Sequence, residues 1–107
     1  MTDKIIVYST CSSPEEAKKL AVHLVDERLA ACVNVFRGVD SYYRWQGKVE
    51  QEGELFLIIK TSRDLFERLR VEWERLHTYE IPELIAVPIV AGARNYLNWM
   101  HGELEPK

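Results

Sequence analysis

The residues of this 107-residue chain that could do chemistry are its two cysteines and three histidines, with Glu80 and Glu83 close to one of the histidines. Cys11 follows the first apolar segment, and His77 precedes a stretch, residues 78–83, that contains Glu80 and Glu83. A thiolate with an imidazole suits Cu(I), Cu(II) or Zn, whereas carboxylates alone suit harder ions. Cys11, His77 and Glu80 are therefore the candidate metal ligands, with Glu83 beside them. No two of them stand at a metal-motif spacing, so such a site has to be assembled by the fold. His77 also has a structural use, because an imidazole at a helix C-terminus can bond free carbonyls and its cation favours the dipole. A Cys–His pair could act as a nucleophile, but no third orienting group is suggested by spacing. There is no G-x-G-x-x-G, no G-x-x-x-x-G-K-[ST] and no H-E-x-x-H. Neither cysteine belongs to a Cys-x-x-Cys pair, which argues against a zinc ribbon or a redox dithiol. The chain reads as a non-enzyme.

Six elements and a tail must position these groups. Residues 4–10 (KIIVYST) are rich in β-branched and aromatic types and predict a strand. Ser13-Pro14-Glu15-Glu16 opens a helix, with Ser13 at the N-cap, Pro14 at the first position and Glu16 closing an S-x-x-E capping box. Its apolar stripe is Ala17, Leu20, Ala21 and Leu24, continued by Arg28, while His23 lies off it and is expected in solvent. Residues 31–36 predict a second strand, and Gly38 a bend or bulge in an extended arm that resumes over 39–45. Gln46-Gly47 makes a tight turn, and the return strand covers 48–61. Thr61-x-x-Asp64 predicts a second capping box, opening a helix with the stripe Leu65, Phe66, Leu69, Trp73 and Leu76. That helix ends near His77, because Ile81-Pro82 cannot continue it. Residues 83–90 predict the fourth strand, and a short last helix carries Tyr96, Leu97, Trp99 and Met100.

The order strand-helix-strand-strand-helix-strand is that of an α+β, ferredoxin-like βαββαβ sandwich, with an extended β-hairpin arm and a short C-terminal helix. Right-handed crossovers fix its hand. In this topology the end of the first strand, His77 and residues 78–83 share one rim, and Cys32 starts its strand at the opposite rim. The two sulfurs are then beyond disulfide reach within one subunit.

Composition narrows the setting. With 14 Lys+Arg against 17 Asp+Glu, the net charge of −3 lacks the basic excess that drives nucleic-acid or anionic-membrane binding. The length predicts a single domain over residues 1–107. The longest apolar run, 84–93, is about half a bilayer span. No signal pattern opens the chain, so a cytoplasmic location is expected.

The sheet breaks the rule that a solvent face is polar at alternate positions. Ile5 and Val7 point one way while Ile6 and Tyr8 point the other, and Leu55, Leu57 and Ile59 alternate with Phe56 and Ile58. Leu84 and Ala86 likewise alternate with Ile85, Val87 and Ile89. Two helices can cover only one face. A bare face of ~600 Å² corresponds to ~15 kcal/mol as an upper bound, which monomers rarely leave uncovered. Tyr42, Tyr43 and Trp45 on the arm also lack cover at home. The expected partner is a second copy of the chain. The tail helix is the alternative cover, but ten residues are too few for four strands.

Several longer runs are specific. Glu27-Arg28-Leu29-Ala30-Ala31-Cys32-Val33-Asn34, then Ser41-x-Tyr43-x-Trp45-x-Gly47-Lys48, Glu54 and Lys60-Thr61, resemble the CutA family of divalent-cation tolerance proteins. So do His77-x-Tyr79-x-x-Pro82-Glu83 and Tyr96-Leu97-x-Trp99, with order and spacing kept from about Ile5 to Met100. The resemblance implies the ferredoxin-like fold, a homotrimer with sheets packed inward, a cytoplasmic location and a link to copper and other divalent cations. It implies no enzymatic reaction. It adds Tyr79, Pro82 and Trp99 to Tyr42, Tyr43, Trp45 and Glu83 as cleft or interface residues. Three positions depart from the family pattern: Thr78 replaces a proline, Ser9 stands at the family's thiol position, and Leu76 precedes His77 where copper-binding members have a second histidine. A trimeric sensor of the PII kind, holding a small ligand in clefts between subunits, is the alternative function.

Overall fold

A computed structural model describes residues 2–106. Strand β1 (Lys4–Cys11) leads through helix α1 (Pro14–Asp26) to β2 (Cys32–Trp45) and β3 (Lys48–Ser62). A 3₁₀ turn (Arg63–Leu65), helix α2 (Phe66–Leu76), strand β4 (Ile85–Pro88) and helix α3 (Arg94–Glu103) follow. The sheet order is β2-β3-β1-β4, and every neighbouring pair is antiparallel. The ferredoxin-like order read from the sequence is the one observed.

Alternation sorts the strands. Val7, Leu57 and Ile59 are wholly buried and form one cluster with Leu20 and Leu24 of α1 and Leu69 and Trp73 of α2. The helices thus cover the face that carries the odd-numbered residues of β1 and β3. On the other face, Tyr8 pairs in register with Ile58 and Ile85, and Phe36 with Phe56. Tyr8 and Phe36 both stack on Phe56. Phe36 is 48% exposed and Ile85 56% exposed, so much of this apolar face stands open to solvent.

Helix α3 does not supply that cover. It closes one end of the sandwich, with Met100 and Leu104 in the core and the Tyr96 ring beside Lys60 near the end of β3. Arg28 ties it down. That residue is not on the α1 stripe, as the periodicity predicts, but beyond the helix end at φ 58°. Arg28 N–H donates to the Val25 carbonyl at 3.1 Å and Leu29 N–H to the Leu24 carbonyl at 2.9 Å, the two bonds of a Schellman cap. Glycine is the usual occupant of that conformation, which costs another residue about 1–2 kcal/mol. The side chain offsets part of this by donating from Nη1 to the Glu103 carbonyl at 3.2 Å.

Other local expectations differ in detail. Ser13 caps α1 by accepting from Glu16 N–H, but the Glu16 carboxylate turns to Ser12 and Thr78 and leaves the reciprocal half of the box unmade. Thr61 does not cap α2. It is buried within β3 and donates to the Leu29 carbonyl at 2.7 Å. His23 is not free in solvent, since Nε2 lies 2.7 Å from Glu72 Oε1 on α2. The fourth strand is shorter than the pattern predicts, four residues instead of eight, although Ile89 N–H still donates to the Lys4 carbonyl at 3.0 Å. Gly38, at φ 72°, sits in the bulge between Phe36 and Val39, and Gln46-Gly47 turns the arm with φ 51° and 81°.

Candidate functional site

The rim predicted from topology is a cleft of about 630 Å³ between the β2–β3 arm and residues 78–83. Its arm wall comes from strand alternation. Glu50, Glu52 and Glu54 are two residues apart on β3, so their side chains share one face. Across the ladder, Ser41 pairs with Glu52 and Tyr43 with Glu50. Tyr42, Tyr43 and Trp45 complete this wall. The opposite wall carries Tyr79, Glu80, Ile81 and Glu83, with Thr10 at the floor.

That second wall has no regular structure, and side chains hold it. His77 is the main anchor, with its ring fully buried. Tyr79 N–H donates to His77 Nδ1 at 3.0 Å, so the ring proton is on Nε2, which donates to the Thr10 carbonyl at 2.7 Å. Ser9 Oγ donates to the Glu83 carbonyl at 2.5 Å. Thr78 donates from both its backbone N–H and its hydroxyl to Glu16 Oε2. Burial opposes ionisation of Glu16, but the bonds from Thr78 and Ser12 outweigh it and hold the carboxyl below its ordinary value.

Within the cleft, Tyr79 donates its hydroxyl to Glu54 Oε2 at 2.7 Å, and Tyr43 donates to Glu52 Oε1. Burial first, then the bond to Glu54, pushes the Tyr79 phenol well above its usual range. The bond to Glu52 raises Tyr43 to about 12. Partial enclosure and the Glu54 charge raise Glu83. Negative charge is crowded here, and both phenols remain protonated donors.

The expected ligand set is not brought together. Cys11 is the last residue of β1 and faces the core, completely buried, with Sγ donating to the Ser13 carbonyl at 3.6 Å. Burial first, then the Glu16 charge, pushes its thiol up to about 11, the opposite of what a ligating thiolate needs. Both nitrogens of His77 are engaged. Glu80 lines the cleft, away from that buried pair. Among the described residues, no three His, Cys, Asp or Glu side chains are placed to hold a metal ion. His77, Cys11 and Glu80 thus do not form a chelate within one protomer.

The other predicted site residues divide. Tyr42, Tyr43, Trp45, Tyr79 and Glu83 converge on the cleft, while Pro82 is half-buried in its second wall without lining it. Trp99 stands elsewhere, against Tyr96 on α3. Sequence reading missed Glu50 and Glu52 and left the role of Glu54 unread. The signal was there: three glutamates at alternate positions of a strand line one face.

Comparison with known proteins agrees with this geometry. Residues 5–103 match the family of the CutA1 divalent ion tolerance protein. The divalent-cation tolerance protein CutA of Thermus thermophilus is 46% identical over 95 residues, covering 89% of this chain and 92% of that one. The chloroplastic protein CutA of Arabidopsis thaliana is 47% identical over 96 residues, which are 90% of this chain and 53% of that one. The crystal structure of CutA1 from Oryza sativa superposes with a TM-score of 0.95 at 40% identity, covering 97% of this chain and 95% of that chain. With the ferredoxin-like order and a sequence match over nearly its whole length, the chain belongs to the CutA1 family of divalent ion tolerance proteins.

Proposed function

We propose that the protein acts as a cytoplasmic, single-domain homotrimer in divalent-cation tolerance, without catalysis, and attracts cations to the rim cleft. The observation that carries the assembly is the open sheet face, where Phe36, Phe56 and Tyr8 stack in contact with solvent. An apolar layer of this kind is stable when another copy dries it. Among the described residues, no helix is long and apolar enough to cross a membrane.

The metal reading rests on family membership and on the carboxylates of the cleft. Copper is the first ion to test, because the sequence resemblance implies it. The chemistry of the donors limits how it would bind. With the Cys11 thiol sealed and both His77 nitrogens engaged, the accessible donors are oxygens, which favour harder ions held by charge. A small-ligand sensor is the second reading, favoured by the volume of the cleft and its aromatic walls.

Sedimentation and calorimetric copper titration test this together. The expected results are a trimer that Ile58→Glu dissociates and copper heats that His77→Ala and Cys11→Ser leave in place. A wild-type species of monomer mass at micromolar concentration refutes the assembly. Absence of any divalent-cation binding removes the metal reading and leaves the sensor.

A further inference from the structure

Lysine is rarely sealed inside a protein, yet the Lys4 side chain is only 5% exposed. Its Nζ donates to Asp3 Oδ1 at 2.6 Å and to Nδ1 of His101, in the last turn of α3, at 3.3 Å. An ammonium has three donors and no acceptor, so Nδ1 carries no proton and the imidazole is neutral in this state. Ser62 stands opposite Lys4 in the β1–β3 ladder. It is fully buried, and its hydroxyl has no hydrogen-bond partner among the described residues. Paired side chains on a sheet lie within about 5.5 Å at Cβ. Lys4 thus has one acceptor in use on the helix and another waiting on the sheet.

The charges at this corner leave little to balance a second cation. Asp3 is engaged with Lys4, and Arg63, whose N–H donates to the Asp3 carbonyl at 2.8 Å, adds a further positive residue. On α3 itself, Glu105 is paired with Arg68 at 2.5 Å, and Glu103 meets Arg28 at 3.7 Å. Lys60 lies farther along the helix, beside the Tyr96 ring. The turn is also intrinsically weak, because Gly102 stands inside it and glycine loses more backbone freedom in a helix than any other residue.

We infer that Lys4 and His101 form an acid-sensitive latch on the C-terminal helix: a proton arriving at Nδ1 drives the imidazole off Lys4, hands the ammonium to Ser62 and loosens the last turn of α3. Nδ1 cannot hold a proton and accept from Lys4 at once, and two cations in contact repel. The closed turn binds one proton fewer than the loosened one. The latch is therefore shut at high pH and opens as pH falls through the imidazole range, about pH 5 to 8. On the other side of the helix, Arg28 Nη1 donates to the Glu103 carbonyl at 3.2 Å and Glu105 N–H to the Arg28 carbonyl at 2.9 Å. These bonds do not titrate, so the opening is local and reversible. The latch is independent of the cleft and of the assembly, since both partners belong to one chain and Lys4 is sealed within it.

Amide hydrogen exchange of the full chain by NMR at pH 7.5 and 5.5, corrected for intrinsic rates, tests it. Protection of residues 101–105 should fall about tenfold at pH 5.5, the scale of one charge-assisted bond lost. Leu69 and Trp73 of α2 should stay within twofold. His101→Gln keeps an acceptor for Lys4 without an imidazole, and its protection should stay within twofold over the same range. Lys4→Met, which removes the ammonium, should be equally flat. His101 is at the surface, so its variant keeps the test valid if the buried change harms folding. Unchanged wild-type protection at pH 5.5 overturns the proposal, as does a fall of the same size in either variant. An equal fall in α2 also overturns it, by showing that acid loosens the whole fold.

Discussion

Tyr79 and Glu54 face each other across the cleft, the phenol donating to Oε2 at 2.7 Å and joining the unstructured wall to β3. The two residues are 25 apart in sequence, and the bond joins the two walls of the cleft. Tyr79→Phe removes the one donor to this buried carboxylate among the described residues. A bond to a charged acceptor contributes about 1.5–3 kcal/mol. Urea denaturation should show a loss of about 2 kcal/mol, and Glu54→Gln in the Tyr79→Phe background should recover part of it. An unchanged midpoint for Tyr79→Phe would show that the pair is idle.

His77 carries two bonds that link β1 to residue 79. His77→Phe keeps ring volume against Trp73 but leaves the Thr10 carbonyl and the Tyr79 N–H without partners. Each such loss costs about 1–3 kcal/mol, so the variant should lose about 2–4 kcal/mol in the same measurement. His77→Gln, which can still donate to Thr10, should lose less. Equal stability of the two variants would mean that packing alone keeps the histidine there.

Glu16 sets an acid limit. Its carboxyl is held below the ordinary value of 4.5, so the fold binds the charged form more strongly than the unfolded chain does. The resulting stability is present above pH 4.5 and is lost as pH falls through the lower folded value. Glu16→Gln should therefore destabilise the protein at pH 7 and shrink the difference from wild type below pH 4. A difference that is constant from pH 7 to pH 3 would exclude ionisation as its cause.

Cys11 sets the opposite limit. Its thiol is raised from 9.0 to about 11, so the neutral form is favoured in the fold. That preference is complete below pH 9 and disappears as pH rises through 11. Iodoacetamide at pH 8 should leave Cys11 unmodified in the native protein and label it after denaturation, as read by peptide mass spectrometry. Rapid native labelling would show an accessible thiolate and restore Cys11 as a metal donor.

How much of this was legible in the chain differs by scale. The element order and the arm turn followed from local causes that a sequence displays: β-branched runs, a Ser-Pro helix start, and Gln46-Gly47 between extended segments. The second apolar face was equally plain, because alternation along a strand needs no knowledge of its neighbours. The capping boxes were only half legible. Glu16 and Thr61 have the right spacing, yet each found a better partner far along the chain, in Thr78 and Leu29.

The sequence by itself determined the elements, their order and the greasy excess of the sheet, since these depend on residue type at short spacing. Only the tertiary structure decided which groups face the cleft. Cys11 and Thr10 are neighbours, but the pleat sends one into the core and the other to the cleft floor. Likewise His77 has the chemistry of a ligand and the position of a brace, because its two nitrogens meet a carbonyl and an amide brought from other segments. Such choices depend on long-range neighbours, and local spacing does not encode them.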